Sequence, residues 1–144
     1  MESKIRPAEK RDLPSLLDLM NQLSPYSSQI DYTKISETFS SILEDKFYRL
    51  IVYETDDKIV GTALLLVQKN LSHGGRPYGH IENVVVDSSY RGKGIGKEML
   101  EYLINEARKY NCYKVILNGR KGTEGFYESA GFKRTDETEM RIDL

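Results

Sequence analysis

The segment SSYRGKGIGKEML, residues 88–100, combines glycines and basic side chains in a way that suits an anion. Glycine leaves no side chain in front of a ligand and tolerates positive φ. A helical apolar pattern follows directly, and the free N–H groups and dipole at a helix N-terminus favour negative charge. The glycines are Gly92, Gly94 and Gly96, and the cations beside them are Arg91, Lys93 and Lys97.

The spacing of this segment excludes two common phosphate loops. A P-loop requires Gly, four residues and then Gly-Lys-Ser/Thr, but Arg91 stands where the first glycine belongs and Glu98 replaces the hydroxyl residue. A dinucleotide fingerprint requires a third glycine where this chain has Lys97 or Met99. The remaining Arg-x-x-Gly-x-Gly pattern leaves two interpretations open, a phosphate-binding loop and a plain strand–helix turn with solvated lysines.

Apolar periodicity places the loop between a strand and a helix of an α/β fold. Val84, Val85 and Val86 are consecutive, which predicts a strand buried on both faces near the centre of the sheet. Strand, helix and strand in succession imply a parallel pair. The predicted elements are a strand at 4–6, helices at 13–23 and 32–43, a hairpin at 47–54 and 59–68, a strand at 78–86, a helix at 95–107, a strand at 113–117, a short helix at 123–129, and one or two strands within 132–144.

Composition limits the binding partners and the cellular compartment that we expect. The 144 residues fit one domain spanning 1–144, and a formal net charge of −1 gives no reason to expect a nucleic acid or an anionic membrane as partner. Cys112 is the single cysteine, which suits a reducing compartment, and with two histidines it makes no structural zinc site, so we expect no metal. The charged N-terminus and the short apolar runs lead us to expect a cytoplasmic protein.

Three segments together resemble one known family. Residues 91–96, RGKGIG, are similar to the Arg/Gln-x-x-Gly-x-Gly/Ala loop of the GNAT N-acetyltransferases, and residues 125–132, GFYESAGF, are similar to the family's FYxxxGF segment. The opening at 5–14 also matches. The resemblance implies a GNAT fold, with a central mixed sheet of six to seven strands, about four flanking helices and a splayed central parallel strand pair.

The resemblance also implies acetyl-coenzyme A as co-substrate. The family binds its pyrophosphate with the loop that here comprises Arg91, Gly92, Lys93, Gly94, Ile95, Gly96 and Lys97. Its pantetheine arm pairs with the backbone of the strand that here holds Val84, Val85 and Val86, in the gap beside the strand that ends at Leu117. A backbone N–H near Val84 is the expected oxyanion donor.

Within the family, the chain resembles the glucosamine-6-phosphate N-acetyltransferase branch. The similar segments are 79–86, 90–97, 111–117 and 125–132. Those enzymes usually carry Asp where Asn83 stands, an acidic residue where Asn118 stands and Asn where Thr123 stands. These positions border the acceptor and cofactor sites, so we expect Asn83 and Asn118 to bind substrate. The branch is dimeric, which makes a homodimer one possible state.

Tyr127 and Glu82 are the candidate catalytic residues. The tyrosine that matches Tyr127 is the family's general acid, and a phenol with a pKa near 10 suits a leaving thiolate. Tyr127 is also a candidate cofactor-binding residue. Glu82 is two residues from Val84, so strand alternation puts both on one face with His80, and a buried carboxylate there suits a base. Neutralisation of Glu82 by a neighbouring Lys or Arg is the equally weighted alternative.

The acceptor-binding groups are less specific. Candidate cations for a phosphate or carboxylate are His73, Arg76, Lys114, Arg120 and Lys121, with Tyr26 and Tyr32 as weaker candidates. We expect an N-acetyltransferase that moves an acetyl group to the primary amine of a small molecule, with an amino sugar phosphate favoured. The alternatives are a protein or peptide N-acetyltransferase and a noncatalytic acyl-coenzyme A sensor.

Overall fold

The computed structural model describes residues 2–25 and 30–144, and its strands and helices follow the predicted order. The strands are β1 (Lys4–Pro7), β2 (Tyr48–Thr55), β3 (Lys58–Gln68), β4 (Tyr78–Val86) and β5 (Val115–Ile116). The helices are α1 (Leu13–Leu23), α2 (Tyr32–Glu44), α3 (Ile95–Lys109) and α4 (Glu124–Ser129). Short 3-10 turns lie at Lys10–Asp12, His73–Gly75 and Ser88–Tyr90.

The strands form one mixed sheet in the order β1-β2-β3-β4-β5. The pairs β1·β2, β2·β3 and β3·β4 are antiparallel, and β4·β5 is parallel, as the strand–helix–strand order predicted. Four helices accompany the sheet in the described chain. The mixed α/β fold is therefore confirmed, but its sheet has five strands instead of the six to seven expected.

The missing strands are those predicted within 132–144, where the described chain forms neither helix nor strand. The segment does carry a period-two apolar pattern, because Met140, Ile142 and Leu144 alternate with Arg141 and Asp143. These three apolar side chains are 91%, 83% and 116% exposed. A strand requires a neighbour that completes its ladder, and the described residues supply none here, so the local pattern alone predicted wrongly.

Two apolar clusters lie on opposite faces of the sheet. One joins α3 to the sheet through buried residues that include Met99, Leu100, Leu103 and Leu65. The other joins the N-terminal helices to the sheet through Leu13, Leu16, Phe39 and Val52, among others. The apolar stripes read from the sequence therefore select the buried faces of α1, α2 and α3. No helix in the described ranges is both long and apolar enough to cross a membrane.

A buried ion pair fastens β1 to the start of α1. Arg6 donates to both carboxylate oxygens of Asp12, at 2.8 and 3.0 Å, and to Glu54 at 3.3 Å. Burial acts to raise the pKa of Asp12, but hydrogen bonds from Arg6 and from the Glu9 N–H outweigh it and hold that pKa below its usual value. The same hydrogen bond from Arg6 to Asp12 raises the pKa of the guanidinium.

Candidate active site

The parallel strands β4 and β5 separate almost as soon as they meet. They pair only at Gly79 with Val115 and at His80 with Ile116, while β4 continues to Val86. From residue 81 to 86, the edge of β4 that faces β5 therefore has no strand partner in the described chain. A splayed pair of this kind leaves backbone N–H and C=O groups free to bind an extended ligand.

A β-bulge interrupts β4 in the middle of this free edge. Thr62 pairs with Val85 and Leu64 pairs with Glu82, so two β4 residues, Asn83 and Val84, lie opposite the single residue Ala63. Asn83 has φ 54°, in the left-handed region that asparagine tolerates better than most residues. Bulges re-aim neighbouring groups and are frequent beside active sites.

The bulge corrects the expectation that Glu82 shares a face with Val84. Residues opposite each other in an antiparallel pair lie on the same face, and Glu82 is opposite Leu64, which lines a pocket between α1 and α2. Val84 instead packs against the cluster around α3. The extra residue shifts the strand's alternation by one, which simple counting by two did not anticipate.

Glu82 is also exposed rather than buried. None of the ion pairs in the described part of the chain involves it. His80, on the same face, has its Nε2 at 2.9 Å from Oε1 of Gln68 on β3, a contact of the structural kind. Of the three valines, Val85 is buried at 5% exposure and Val84 and Val86 are half-buried.

The glycine-rich loop has the geometry of an anion site. Gly92 and Gly94 have φ of 77° and 84°, which glycine adopts without strain, and α3 starts at Ile95 with no side-chain cap on its first N–H groups. The side chain of Ile95 is in the core, so only its backbone is available to a ligand. Arg91 folds back so that its Nε donates to the Val86 carbonyl at 3.0 Å.

Helix α4 packs against two glycines that border the gap. A Cβ on Gly96 would lie 2.8 Å from Cζ of Phe126, and a Cβ on Gly119 would lie 3.0 Å from Cε2 of Tyr127. Both glycines are thus required for the close approach of α4 to the start of α3 and to the chain after β5. The sequence motif does not by itself identify Gly119 as part of this packing.

Tyr127 is half-buried between aromatic neighbours. Its ring lies edge-on to Phe126, with centroids 4.9 Å apart, and to Phe132 at 6.2 Å. Burial raises the pKa of the phenol above its usual value of 10.0. No hydrogen bond to its hydroxyl is formed within residues 2–25 and 30–144, so the group is free to donate to a ligand.

The two candidate substrate-binding asparagines line different cavities. Asn118, exposed and two residues beyond β5, lines a groove of about 930 Å³ together with Tyr127, which we call the β5 groove. Asn83 lines the pocket of about 470 Å³ between α1 and α2. The structure therefore brings Asn118 near Tyr127, and places Asn83 on the other side of the sheet.

The candidate acceptor cations mostly have partners of their own. Arg76 donates to the carbonyls of Asn111 and Cys112, and Arg120 donates to the carbonyl of Leu23. The His73 ring stacks on Tyr113 at 3.8 Å between centroids, and Nζ of Lys114 lies 5.4 Å from the centre of the Tyr113 ring. Lys121 and Tyr32 are exposed, and Tyr26 lies outside the described residues.

A family model described as acetyltransferase (GNAT) family matches residues 13–132. The chain belongs to the acetyltransferase (GNAT) family. It is 38% identical over 148 aligned positions to the glucosamine 6-phosphate N-acetyltransferase of Trypanosoma brucei brucei, which covers 100% of this chain and 97% of that one. The resemblance stated from the sequence motifs is therefore confirmed.

Solved structures share the fold over nearly the whole chain. A putative acetyltransferase from Agrobacterium tumefaciens str. C58 aligns with TM-score 0.90 and 34% identity, covering 98% of this chain and 99% of that one. A predicted acetyltransferase from Clostridium acetobutylicum, solved with acetyl-CoA, aligns with TM-score 0.80 and 25% identity, covering 99% and 97%. Acetyl-coenzyme A is the co-substrate of this acetyltransferase family, and the free β4 edge and uncapped α3 N-terminus fit it.

Proposed function

We propose that this acetyltransferase moves an acetyl group from acetyl-coenzyme A to the primary amine of an amino sugar phosphate, by direct attack in a ternary complex. The free β4 edge, interrupted by a bulge and ending at the uncapped α3 loop, carries the proposal for the donor site. The acceptor class rests on the 38% identity to the Trypanosoma enzyme, which acts on glucosamine 6-phosphate by its name.

The donor's pyrophosphate binds at the start of α3. The N–H groups of Ile95, Gly96 and Lys97 point out of the first turn without intrahelical partners, and the helix dipole adds to their attraction for phosphate. The glycines of the loop keep the approach open, and Arg91, Lys93 and Lys97 are exposed cations beside it. The pantetheine arm pairs with the free edge of β4 along Val84, Val85 and Val86.

The acceptor's neutral amine attacks the thioester carbonyl carbon, and the resulting C–N bond replaces the C–S bond. A backbone N–H at the bulge, near Val84, donates to the carbonyl oxygen as negative charge develops there. Tyr127 gives its proton to the departing sulfur, which suits a phenol kept neutral by burial. The amine's extra proton leaves to Glu82 through water, a route that fits the exposed position of that carboxylate.

We assign acceptor binding to Asn83, on the face of the sheet that α1 and α2 cover, and to Asn118, in the β5 groove beside Tyr127. Asn83 is one of the two bulge residues of β4, and Asn118 follows β5 beside Tyr127. Neutral amides in place of the carboxylates usual in the branch keep the hydrogen-bonding capacity and remove charge. We also propose that the protein acts in the cytoplasm, because the free thiol of Cys112 suits a reducing compartment.

A homodimer is part of the proposal, because two unpaired features of this chain match each other. The outer edge of β5 has no strand partner in the described residues, and the β5 groove runs along it. The exposed alternating pattern of residues 140–144 is that of a strand. Addition of one chain's terminal segment to the other chain's β5 satisfies both.

A panel of amines tests the function. Purified protein with acetyl-coenzyme A is mixed with glucosamine 6-phosphate, glucosamine, simple alkyl amines and lysine-containing peptides, and free thiol is measured with a thiol reagent. We expect rapid release with the amino sugar phosphate. Turnover with peptides alone favours a protein acetyltransferase, and cofactor binding without turnover on any amine favours a noncatalytic sensor; either result overturns the proposal.

A further inference from the structure

The last turn of α1 contacts the chain on both sides of the splayed strand pair. Gln22 donates from Nε2 to Asp87 at 3.0 Å, and its Oε1 accepts from the Ser88 N–H at 3.1 Å. The next residue, Leu23, offers its carbonyl to Nη2 of Arg120 at 2.7 Å. These contacts link residues 65, 66 and 97 positions apart in the sequence.

The contacts matter because of where their partners lie. Asp87 and Ser88 leave the end of β4 and lead into the glycine-rich loop, whereas Arg120 follows β5 and precedes α4, which carries Tyr127. The end of α1 therefore spans the two chain segments that leave the splayed strands. We call this set of three hydrogen bonds the α1 bridge.

Further hydrogen bonds fix the residues that the α1 bridge joins on each side. Asp87 also accepts from the Ser89 N–H at 2.9 Å, so its carboxylate is held in place for Gln22. The backbone of Arg120 is fixed by Thr123, whose hydroxyl and N–H both donate to the Arg120 carbonyl. A charged donor on a helix's last carbonyl is a favourable C-terminal contact.

We propose that Gln22 and Arg120 are positioning residues for acetyl transfer: through the α1 bridge they fix the spacing of the splayed strands and the start of the segment between α1 and α2. This rests on the proposed function. Neither residue is required to touch the reacting atoms. Reaction rates are sensitive to such spacing, because a displacement of about 1 Å costs up to ~100-fold.

Direct binding of the acceptor's phosphate by Arg120 is the competing role. Its guanidinium already donates to Leu23, and Gln22, which carries no charge, closes the other end of the same bridge. A phosphate ligand role predicts a loss confined to phosphorylated acceptors. A positioning role predicts equal losses for glucosamine 6-phosphate and glucosamine, and similar losses for the Gln22 and Arg120 variants.

Steady-state kinetics with both acceptors separates the two roles. For Arg120→Ala and Gln22→Leu we expect kcat to fall about tenfold, with the Kd for coenzyme A within about twofold of wild type. The first variant loses one charge-assisted hydrogen bond, and the second loses one charge-assisted and one neutral hydrogen bond. Arg120→Lys restores most of the rate, because a lysine can donate to the same carbonyl. Gln22→Glu places a carboxylate against Asp87 and is expected to be at least as harmful as Gln22→Leu.

The matched control is Arg11→Ala. Arg11 lies in the turn before α1, about 17 Å along the helix from the last turn that holds Gln22 and Leu23, and its ion pair among the described residues is with exposed Glu9. Its loss leaves kcat unchanged. The double variant Arg120→Ala/Gln22→Leu is expected to lose less than the product of the single losses, since each opens the same bridge. Multiplicative losses, or a loss restricted to the phosphorylated acceptor, overturn the proposal.

Amide hydrogen exchange measures the stability of the α1 bridge and requires no catalytic turnover, so the proposal is testable even if no acceptor amine reacts. The Ser24 amide, which bonds to the Met20 carbonyl, reports the last turn of α1. We expect faster exchange over 20–24 in Arg120→Ala and Gln22→Leu than in wild type and Arg11→Ala. Wild-type exchange in both bridge variants overturns the proposal, whereas a silent amine panel alone overturns only the proposed function.

Discussion

At the residue scale, chemistry depends on a few side chains whose surroundings differ from those of their neighbours. Tyr127 is half-buried with a hydroxyl that bonds to no group in the described chain, while Tyr113 stacks on His73 in a packed surface cluster. Glu82 faces solvent beside a bulge. The same residue types therefore take different roles because of burial and backbone geometry.

Removal of the Tyr127 hydroxyl is expected to slow acetyl transfer. In Tyr127→Phe, kcat falls by about 100-fold or more, the usual range for a general acid, while coenzyme A affinity measured by calorimetry is unchanged. Tyr48→Phe, on β2 away from the gap, serves as control. Because burial raises the pKa of Tyr127, the phenol keeps its proton above pH 10, so no alkaline loss of kcat below that pH is assigned to it. Wild-type kcat in the Phe variant removes Tyr127 as the acid.

The left-handed backbone conformation of Asn83 in the bulge is tested by substitution. Asn83→Asp keeps a residue that tolerates φ of 54°, so its free energy of unfolding stays close to wild type. Asn83→Val places a β-branched side chain in the left-handed region, and we expect a loss of about 1–2 kcal/mol in urea denaturation. Equal stability of the two variants is incompatible with a left-handed residue at this position.

At the element scale, close packing of glycine against α4 positions the candidate acid. Gly119→Ala places a methyl group 2.9 Å from Oγ1 of Thr123 and 3.0 Å from the Tyr127 ring, so we expect turnover to fall about tenfold as the start of α4 and the ring move. Gly125→Ala is the matched control, since a Cβ there meets nothing within 4 Å and alanine favours the helix by about 0.5–1 kcal/mol. Unchanged turnover in Gly119→Ala shows that the ring position is not limiting.

The Arg6–Asp12 pair governs how firmly β1 holds α1. Asp12→Asn weakens the two-fold contact with the Arg6 guanidinium, which keeps Glu54 as its other charged partner, and we expect a loss of about 1.5–3 kcal/mol in the free energy of unfolding. Asp143→Asn removes one member of an exposed pair and costs at most about 1 kcal/mol.

The same pair predicts the direction of acid sensitivity. Since the pKa of Asp12 is lower in the folded chain than its ordinary 3.8, its stabilising contribution is complete above that pH and is lost as the pH falls further. Unfolding curves measured between pH 5 and pH 2 check this. In Asp12→Asn the loss of stability with acid is smaller, and an identical pH profile for wild type and variant contradicts the assignment.

At the scale of the whole molecule, the terminal segment is the feature left incomplete. Deletion of residues 140–144 removes the exposed apolar side chains, and we expect light scattering to report a dimer for the full chain and a monomer for the truncated one. The double variant Arg141→Ser/Asp143→Ser alters the intervening charged positions and stays dimeric. A monomeric full chain, or a dimeric truncated one, contradicts the proposed homodimer.

The sequence by itself determined most of the elements, and it predicted the candidate donor loop. Apolar stripes at helical spacing identified α1, α2 and α3, and the glycine spacing identified the loop before α3, because both depend on residues close together along the chain. The tertiary structure alone decided the rest. The bulge placed Glu82 and Val84 on opposite faces, residues 140–144 found no strand partner among the described residues, and Arg120 met the Leu23 carbonyl across 97 positions of sequence. Strand register and long-range hydrogen bonds depend on partners that local sequence does not specify.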